Sequence, residues 1–344
     1  MKALVLTAPS KLELLERPIP RLLADEVLLR VRACGICGSD LHGWDGSSGR
    51  RNPPLVMGHE AAGEIAAVGT AAETWKTGER VTFDSTIYCG HCAYCRAGQI
   101  NLCEERRVIG AAPADYKQDG AFAEYLTLPG RILHRIPPGM PYRRAAMVEP
   151  VSIAVHAVRQ VALAPGDVAA VIGAGMIGML VIQALRWAGV QEIIAVDRVA
   201  SRLALAQKLG ATATLSSDVG DVPAETRRLS RGRGADVVFE VVGAGSTVQL
   251  GLAMLRKGGA MVLVGNLAQK IDFPLQQVVT REQRLYGSCA SAGEYPLCLD
   301  LIAREIIQVD PLISAVAPLS EGPAWFQRLS TAGAGNYLKV ILEP

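Results

Sequence analysis

Four cysteines crowd one short, glycine-containing segment of the chain: Cys89, Cys92, Cys95 and Cys103. Thiolates at this density are typical of a closed tetrahedral zinc site of the structural kind, which contributes directly to folding. An iron–sulfur cluster also uses closely spaced cysteines, but a bacterial ferredoxin run has a shorter last gap and a proline after its last cysteine. Here Glu104 follows Cys103. The spacing therefore favours structural zinc, and we expect His91 to be an exposed bystander.

A second set of possible metal ligands is dispersed along the chain and comprises Cys37, His59, Glu60 and Glu149. A thiolate, an imidazole and a carboxylate can bind zinc and leave a fourth position open for a substrate. Zinc bound in this way is a Lewis acid that lowers the pKa of a bound alcohol. From spacing alone, a buried Cys37 and a hydrogen-bonded core His59 explain the pattern as well.

A glycine-rich turn at Gly173, Gly175 and Gly178 follows an apolar strand pattern and opens an apolar helix. A dinucleotide site needs this arrangement. Its first glycine permits the tight turn, its second lets the backbone approach the pyrophosphate, and its third allows close packing of helix on sheet. The pyrophosphate then lies at the positive end of the helix. Because strand, glycines, helix and a later acidic residue all agree, we predict a dinucleotide-binding turn.

The later acidic residue is Asp197, at the end of the second strand pattern. Its carboxylate would accept hydrogen bonds from the ribose hydroxyls and repel a 2′-phosphate by about 4 kcal/mol at ~4 Å in a medium of dielectric constant ~20. NAD is therefore favoured over NADP. The neighbouring Arg198 would work in the other direction. Asp197 as a simple cap of the next helix is the alternative.

Composition places these residues in an ordinary globular chain. Its 344 residues exceed the length at which one hydrophobic core stops growing, so we expect two domains. A formal net charge of +2, evenly spread along the chain, does not indicate a surface that binds nucleic acid or a membrane. The N-terminal residues resemble a strand and not a signal peptide. Eight cysteines without an export signal argue against disulfides, so we expect a soluble cytoplasmic protein.

The secondary-structure elements that must position these groups follow two different sequence patterns. Up to about residue 150, short β-like runs at 27–31, 61–68, 80–83 and 121–128 predict a largely antiparallel β domain. From residue 168 onward strands and helices alternate. The predicted strands are 168–172, 193–196, 213–215, 237–242, 261–264 and 285–287, and the predicted helices are 177–187, 202–209 and 294–307. This alternation predicts an α/β fold with a doubly wound parallel sheet. The apolar tail, 338–342, could return to the first domain.

Taken together, the motifs resemble the zinc-containing medium-chain alcohol dehydrogenase superfamily. The resemblance rests on GHE at 58–60, the four-cysteine segment, EP at 149–150 and the glycine-rich turn, in that order. CGSDLH at 37–42 and EPVSIAVHA at 149–157 make it similar to the polyol branch, which includes sorbitol and galactitol-1-phosphate dehydrogenases. It spans essentially the whole chain. It implies a GroES-like catalytic domain (1–153 and 292–344), a Rossmann NAD-binding domain (154–291) and an active site in the cleft between them.

The resemblance also implies roles for single residues. Cys37 and His59 would hold a catalytic zinc, with Glu60 and Glu149 as direct or water-mediated carboxylates. Ser39 and His42 would relay the substrate proton, and Asp40 would support the zinc site. The implied cofactor contacts are Ile177, Asp197, Arg202, Val264, Gly265, Asn266, Cys289, Ala290 and Ser291. Two positions depart from the pattern. Some sorbitol dehydrogenases carry Arg-Tyr at Ala290-Ser291, and a tyrosine often occupies the position of Gly43, so the particular polyol does not follow from the resemblance.

We therefore expect a zinc- and NAD-dependent enzyme, a homodimer or homotetramer, that oxidises a secondary hydroxyl of a polyol to a ketose. A threonine- or vicinal-diol-type dehydrogenase is the nearest alternative. A catalytically silent NAD-binding relative would have lost a ligand or relay residue, and none is lost. A polyol phosphate is a further alternative, because Arg50 and Arg51 lie in the loop before GHE and two guanidinium groups on a flexible loop bind phosphate well. Two solvated arginines, or a subunit contact, would be the simpler explanation.

Overall fold

The computed structural model describes residues 1–331 and 337–344, which form two compact units. The first unit consists of Met1–Glu149, Ser291–Arg304 and Val309–Pro344, and the second of Pro150–Ala290 and Glu305–Gln308. The expected boundaries between the catalytic and the NAD-binding domain lay after residue 153 and after residue 291. In the structure, Pro150 already belongs to the second unit, and a four-residue segment returns to it. No helix among the described residues is long and apolar enough to cross a membrane.

The strands are β1 (Lys2–Ala8), β2 (Lys11–Glu16), β3 (Glu26–Ile36), β4 (Leu55–Val56), β5 (Glu60–Val68), β6 (Arg80–Phe83), β7 (Thr86–Ile87), β8 (Arg107–Val108), β9 (Tyr125–Pro129), β10 (Leu133–Arg135), β11 (Val168–Ile172), β12 (Glu192–Asp197), β13 (Ala213–Ser216), β14 (Ala235–Glu240), β15 (Leu255–Leu263), β16 (Arg284–Gly287), β17 (Ile313–Pro318) and β18 (Lys339–Glu343).

The helices are α1 (Gly38–Trp44), α2 (Ala93–Arg96), α3 (Tyr142–Ala146), α4 (Val148–Arg159), α5 (Met176–Trp187), α6 (Ala200–Lys208), α7 (Val222–Leu229), α8 (Gly245–Met254), α9 (Leu275–Thr280), α10 (Tyr295–Ala303) and α11 (Gly322–Ser330). Short 3₁₀ turns lie at Ile100–Leu102, Gly130–Ile132, Asp310–Leu312 and Leu319–Glu321.

The first unit is built on a sheet with the strand order β10-β6-β5-β3-β18-β17, in which β9 also pairs with β3. All pairings except β17 with β18 are antiparallel. Along β3 the side chains of Val27, Leu29 and Val31 are buried in the core, as the alternating pattern predicts. The expected return of the tail is confirmed, because β18 pairs with β3 from the other end of the chain.

The second unit contains a six-stranded sheet in the order β13-β12-β11-β14-β15-β16. All its pairings are parallel. The strands β11 and β14 are buried along their whole length, which explains why their sequences show continuous apolar runs and not alternation. The predicted α/β fold, a GroES-like β domain with a doubly wound parallel sheet, is confirmed.

Several element boundaries differ from the prediction. The run at 121–128 forms a strand only from Tyr125, because the backbone N–H groups of Ala121 and Phe122 donate to the loop carbonyls of Gly58 and Met57. The predicted strand 237–242 ends at Glu240, whose carboxylate accepts hydrogen bonds from the following turn. The helix predicted over 294–307 ends at residue 303, and residues 305–308 join the second unit.

Candidate active site and metal centres

The dispersed set of possible ligands converges where β3 and β5 lie side by side. Gly35 on β3 is paired with Glu60 at the start of β5. Cys37 follows β3 directly and caps the N-terminus of α1. Ligand atoms of Cys37, His59 and Glu60 all lie within 4.8 Å of one another. Antiparallel pairing of two strands that are distant in sequence thus assembles a thiol, an imidazole and a carboxyl group at one point.

Asp40 connects this cluster to the protein around it. Its side chain is fully buried, and its Oδ1 atom lies 3.4 Å from His59 Nδ1 and 3.1 Å from Arg51 Nη2. Burial alone would raise the pKa of Asp40, but His59 and Arg51 lower it to about 2. A carboxylate beside one ring nitrogen of a histidine fixes the ring and leaves the other nitrogen for a metal. The donor set and its support therefore fit zinc.

The predicted carboxylate ligands have different surroundings. Glu60 lies within the cluster, and its Oε2 atom accepts a hydrogen bond from Lys339 Nζ at 2.5 Å. Glu149 lies outside the group of atoms within 4.8 Å. It is buried, its Oε1 accepts a hydrogen bond from Ser85 Oγ at 3.2 Å, and burial raises its pKa to about 7. The geometry favours Glu60 as the direct ligand and leaves Glu149 at the edge of the site.

The four-cysteine segment forms a separate site around α2. The ligand atoms of Cys89, Cys92, Cys95 and Cys103 lie within 4.8 Å of one another, and all eight cysteines of the chain are free thiols. Backbone N–H groups already point at the sulfur atoms: Cys95 N donates to Cys92 Sγ at 3.4 Å, and Cys89 N donates to Cys103 Sγ at 3.2 Å. The hydrogen bond from Cys95 is the largest of the influences that lower the pKa of Cys92 to about 6. Burial acts in the opposite direction on Cys95 and raises its pKa to about 12. The fit to a tetrahedral metal site therefore rests on the spacing of the four sulfur atoms.

His91 lies within the same segment but at its surface. The side chain is about 71% exposed, and its Nε2 atom pairs with Glu105 Oε1 at 3.1 Å. Its Nδ1 atom lies 3.2 Å from the carbonyl oxygen of Cys89. Ligand atoms of Cys89, His91 and Glu105 also lie within 4.8 Å of one another. Because four cysteine thiolates already complete a tetrahedral set, His91 as a bystander remains our prediction.

The predicted relay residues lie on α1. Ser39 and His42 are both exposed and are three residues apart, which places their side chains on the same side of a helix. Arg51 departs from the prediction. It is not a solvated or flexible loop arginine, because its side chain is buried and its Nη2 atom contacts both Asp40 and Ser39 Oγ. Only the neighbouring Arg50 is exposed. The interpretation of both arginines as solvated is therefore wrong for Arg51, and the alternative of a phosphate held by the pair keeps only Arg50 as an exposed guanidinium group.

In the second unit the glycine-rich turn has the predicted form. Gly173 directly follows β11 and has φ +97°, a conformation that residues with a side chain rarely adopt. A Cβ at Gly178 would lie 1.8 Å from the Gly173 carbonyl oxygen, whereas a Cβ at Gly175 would meet only open space. Gly175 caps α5, and Ile177 lies in its first turn. The turn therefore packs closely at two glycines and stays open at the third, where a pyrophosphate would approach.

Asp197 ends β12 and is connected to the same turn. Its Oδ2 atom accepts a hydrogen bond from Ala174 N at 2.7 Å, and its Oδ1 accepts one from Val199 N at 2.8 Å. The N-cap of α6 is Val199, so Asp197 is not the cap of that helix. Arg198 points to Asp218, with Nε 3.1 Å from Oδ1. The cation that would favour a 2′-phosphate thus has a carboxylate partner of its own.

The remaining predicted cofactor residues lie in different places. Val264, Gly265 and Asn266 follow β15, where the chain turns closely past Gly243. Arg202 lies in α6. Cys289 and Ala290 belong to the second unit and Ser291 to the first. Ser291 is buried, with its Oγ atom 3.5 Å from Asp84 Oδ2.

Comparison with known proteins agrees with this geometry. Residues 23–138 match the model of the alcohol dehydrogenase GroES-like domain, and residues 177–304 match the model of the zinc-binding dehydrogenases. D-xylulose reductase A of Aspergillus oryzae is 36% identical over 98% of this chain and 95% of its own length. Sorbitol dehydrogenase of Bacillus subtilis is 34% identical over 100% of this chain and 97% of its own.

The chain belongs to the zinc-binding dehydrogenases. A zinc-binding dehydrogenase from Sinorhizobium meliloti 1021, solved with NADP bound, is 32% identical and superimposes with a TM-score of 0.91 over 100% of this chain and 99% of that one. Membership in the polyol branch is confirmed, and so are the expected enzyme class, a dehydrogenase acting on CH–OH groups, and its cofactors, zinc and NAD(H).

Two features of this zinc-binding dehydrogenase were missed at the level of sequence. Lys339 is buried against Glu60 although it lies far away in the chain. Glu240, fully buried, accepts hydrogen bonds from the N–H groups of Val242 and Gly243 and from Thr247 Oγ1. An acidic residue inside an apolar strand pattern, followed by glycine, was the available signal for Glu240. No local pattern marks Lys339, because its partner comes from another strand.

Proposed function

We propose that this chain oxidises a secondary hydroxyl group of a polyol to a ketose and transfers the hydride to NAD. The observation that carries the proposal is the convergence of Cys37, His59 and Glu60 at one buried point. This point lies beside helix α1, which contains the hydroxyl group of Ser39. The relatives named for xylulose and sorbitol support the substrate class. A polyol phosphate receives less support than the sequence suggested, because Arg51 is engaged inside the protein.

The residues divide between two zinc sites. Cys37, His59 and Glu60 would hold the catalytic ion, with Glu149 reaching it through water, and Cys89, Cys92, Cys95 and Cys103 would hold the structural one. When bound, the catalytic zinc polarises the substrate hydroxyl, and NAD supplies the hydride acceptor. Asp40 keeps the ring of His59 oriented for this task.

Proton removal falls to α1. Ser39 accepts the proton of the substrate hydroxyl at its Oγ atom and releases its own hydroxyl hydrogen in the direction of His42. His42, exposed three residues further along the same helix, passes a proton on to solvent. A histidine suits this role because its ordinary pKa lies near neutral pH.

The cofactor would bind to the second unit, which is the NAD-binding domain in this proposal, and the first unit is the catalytic domain. Gly173, Gly175, Ile177 and Gly178 would hold the pyrophosphate. The remaining contacts would come from Arg202, Val264, Gly265, Asn266, Cys289, Ala290 and Ser291. Asp197 selects NAD by repelling a 2′-phosphate, and the pairing of Arg198 with Asp218 supports this choice.

The enzyme works in the cytoplasm as a homodimer or homotetramer. Eight free cysteines suit a reducing compartment. The second unit exposes large apolar side chains that precede the edge strand β16 in sequence: Leu267, Phe273, Leu275 and Val279. Exposed apolar side chains in one stretch of the chain and an unpaired sheet edge both favour a protein–protein contact.

A substrate screen tests the proposal. The purified enzyme is given NAD and a panel of pentitols, hexitols, their phosphates, vicinal diols and threonine, and NADH formation is followed. We expect the highest kcat/KM with an unphosphorylated polyol, and loss of activity when a chelator removes zinc. A preference of more than tenfold for threonine, a simple diol or a polyol phosphate would show that the substrate belongs to that class instead. An enzyme that is inactive with every compound would contradict the proposed function.

A further inference from the structure

Arg51 is a fixed part of the region around the proposed catalytic site. Its side chain is buried. Residue 51 forms a bridge with Ala112, and the backbone is held on both sides: Ala112 N donates to the Arg50 carbonyl at 2.9 Å, and Asn52 N donates to the Ala112 carbonyl at 3.0 Å. The loop before His59 thus presents one arginine at a defined position.

The guanidinium group of Arg51 reaches two residues of α1 through one nitrogen. Its Nη2 atom lies 3.1 Å from Asp40 Oδ1 and donates a hydrogen bond to Ser39 Oγ at 3.2 Å. Asp40 is fully buried and Ser39 is exposed. Arg51 therefore lies between the carboxylate that supports His59 and the hydroxyl group that we propose accepts the substrate proton.

Gly43 provides the space for this arrangement. A Cβ atom at Gly43 would lie 2.0 Å from Arg51 Cδ and 2.9 Å from Arg51 Cγ. Any larger residue at position 43 would displace the stem of the arginine. The absence of a side chain at Gly43 therefore leaves the space that the stem of Arg51 occupies.

We propose that Arg51 is a positioning residue that orients the Ser39 hydroxyl for proton transfer. The inference rests on the proposed function. Arginine only donates hydrogen bonds, so the hydrogen of the Ser39 hydroxyl must point away from Arg51. One lone pair of Oγ is occupied by Arg51, and the other stays free. Ser39 can then accept the substrate proton on the free lone pair as it releases its own hydroxyl hydrogen in the direction of His42, and the nearby cation stabilises the negative charge that builds on Oγ when this release runs ahead of acceptance.

A double-mutant cycle over Ser39 and Arg51 tests the inference. The variants are Ser39→Ala, Arg51→Met and the double variant, assayed with the best substrate of the native enzyme. Arg51→Met should lower kcat at least tenfold and change KM less than threefold. In the Ser39→Ala background the same substitution should lower kcat less than threefold. Equal losses in both backgrounds would show that Arg51 does not act through Ser39, and a kcat within threefold of the native value would overturn the proposal outright.

Further measurements separate positioning from a purely structural role. Zinc content should stay at the native level in Arg51→Met, and loss of the catalytic ion would assign Arg51 to the support of Asp40 and His59 instead. Millimolar ethylguanidinium should raise the kcat of Arg51→Met at least fivefold, whereas ethylammonium should not. Equal rescue by both compounds would contradict the donation of an oriented hydrogen bond to Ser39. If Arg51→Met does not fold, Gly43→Ala is the second variant. It should reproduce the loss of kcat by displacing the arginine, and native kcat in it would overturn the proposal.

Arg50→Ala is the matched control, because Arg50 is the exposed neighbour in the same loop, and its kcat should equal that of the native enzyme. Failure of the inference is distinguishable from failure of the function. An inactive native enzyme refutes the proposed dehydrogenase, whereas an active native enzyme with native-like Arg51 variants refutes only the role of Arg51.

Discussion

The ammonium group of Lys339 lies 2.5 Å from the carboxylate of Glu60, and both side chains are almost completely buried. Lys339 Nζ also donates to the carbonyl of Ile36 at 3.1 Å. Burial alone would lower the pKa of Lys339, but Glu60, Cys37 and Glu149 together more than offset this effect and raise it. The last strand of the chain therefore supplies the positive charge that accompanies a proposed zinc ligand.

Replacement of Lys339 by Met should destabilise the first unit strongly. The Glu60 carboxylate would lose its cationic partner, and removing one member of a buried ion pair typically costs about 3–5 kcal/mol. The full cost is expected in protein from which a chelator has removed the catalytic zinc, because a bound zinc would also neutralise Glu60. Chemical unfolding of native and variant protein measures the loss. Lys339→Arg keeps the charge and should lose less than half as much, and Lys76→Met, at an exposed lysine, should lose nothing measurable. A variant as stable as the native protein would show that the pair contributes nothing.

The two metal sites should respond differently to loss of a ligand. We expect metal analysis to find two zinc ions per chain. Cys92→Ser should damage folding or solubility, because a structural zinc contributes folding free energy directly. His59→Ala should give a folded, inactive protein that contains one zinc less. A Cys92→Ser variant that folds normally and keeps full activity would refute the structural role of the four-cysteine site.

Cofactor preference should depend on Asp197. NAD should be preferred over NADP at equal concentration, because the carboxylate repels a 2′-phosphate. Asp197→Ser should raise the ratio of NADP to NAD activity at least tenfold. It should also weaken NAD binding, because Asp197 holds the N–H group of Ala174 in the glycine-rich turn. Asp218→Asn, which frees Arg198, should raise NADP use more modestly. Equal use of both cofactors by the native enzyme would contradict this account.

The buried carboxyl group of Asp84 should make stability depend on pH. Burial raises its pKa to about 6, above the value of about 4 expected in the unfolded chain. The folded state therefore resists ionisation of Asp84, and stability falls as pH rises from about 4 to about 6. Asp84→Asn removes this effect. Its gain in unfolding free energy over the native protein should be about 1–2 kcal/mol larger at pH 7.5 than at pH 5. A gain that does not change with pH would place the raised pKa in doubt.

Self-association should depend on the apolar surface of the second unit. Leu275 and Val279 are each 65% exposed, and acidic side chains at both positions would oppose a dry contact between chains. We expect light scattering to find a dimer or tetramer for the native protein and a smaller species for Leu275→Asp with Val279→Asp. Val219→Asp, at an exposed residue of the same unit, is the control. A native monomer, or a double variant that keeps its native mass, would refute the proposed surface.

The sequence predicted those parts of the molecule whose cause is local. The strand–glycine–helix turn at Gly173 follows from residues next to one another, and so does the cluster of four cysteines. Conversely, Arg51 was misjudged because nothing local distinguishes a buried arginine from a solvated one. Its partner Asp40 lies eleven positions earlier, and the space for its stem is created by Gly43. Side chains whose position depends on tertiary contacts need the structure.

The carboxylates illustrate the same limit. Spacing along the sequence did not distinguish Glu60 from Glu149 as a zinc ligand, because each lies in a motif that the fold brings near the site. The pairing of Gly35 with Glu60 across β3 and β5 brings Glu60 to Cys37 and His59. Glu149 comes from α4 and contacts Ser85. Register between strands that are far apart in the chain therefore favours Glu60, and no local pattern contains that information.

The most direct test of the proposed function follows one hydrogen atom. A polyol from the preferred class is labelled with deuterium on the carbon of its reacting secondary hydroxyl and incubated with the zinc-loaded enzyme and NAD. Nuclear magnetic resonance of the recovered NADH should show deuterium at C4 of the nicotinamide ring, with one equivalent of ketose formed. Ketose without labelled NADH, or label released into water, would contradict hydride transfer from the polyol to NAD by this enzyme.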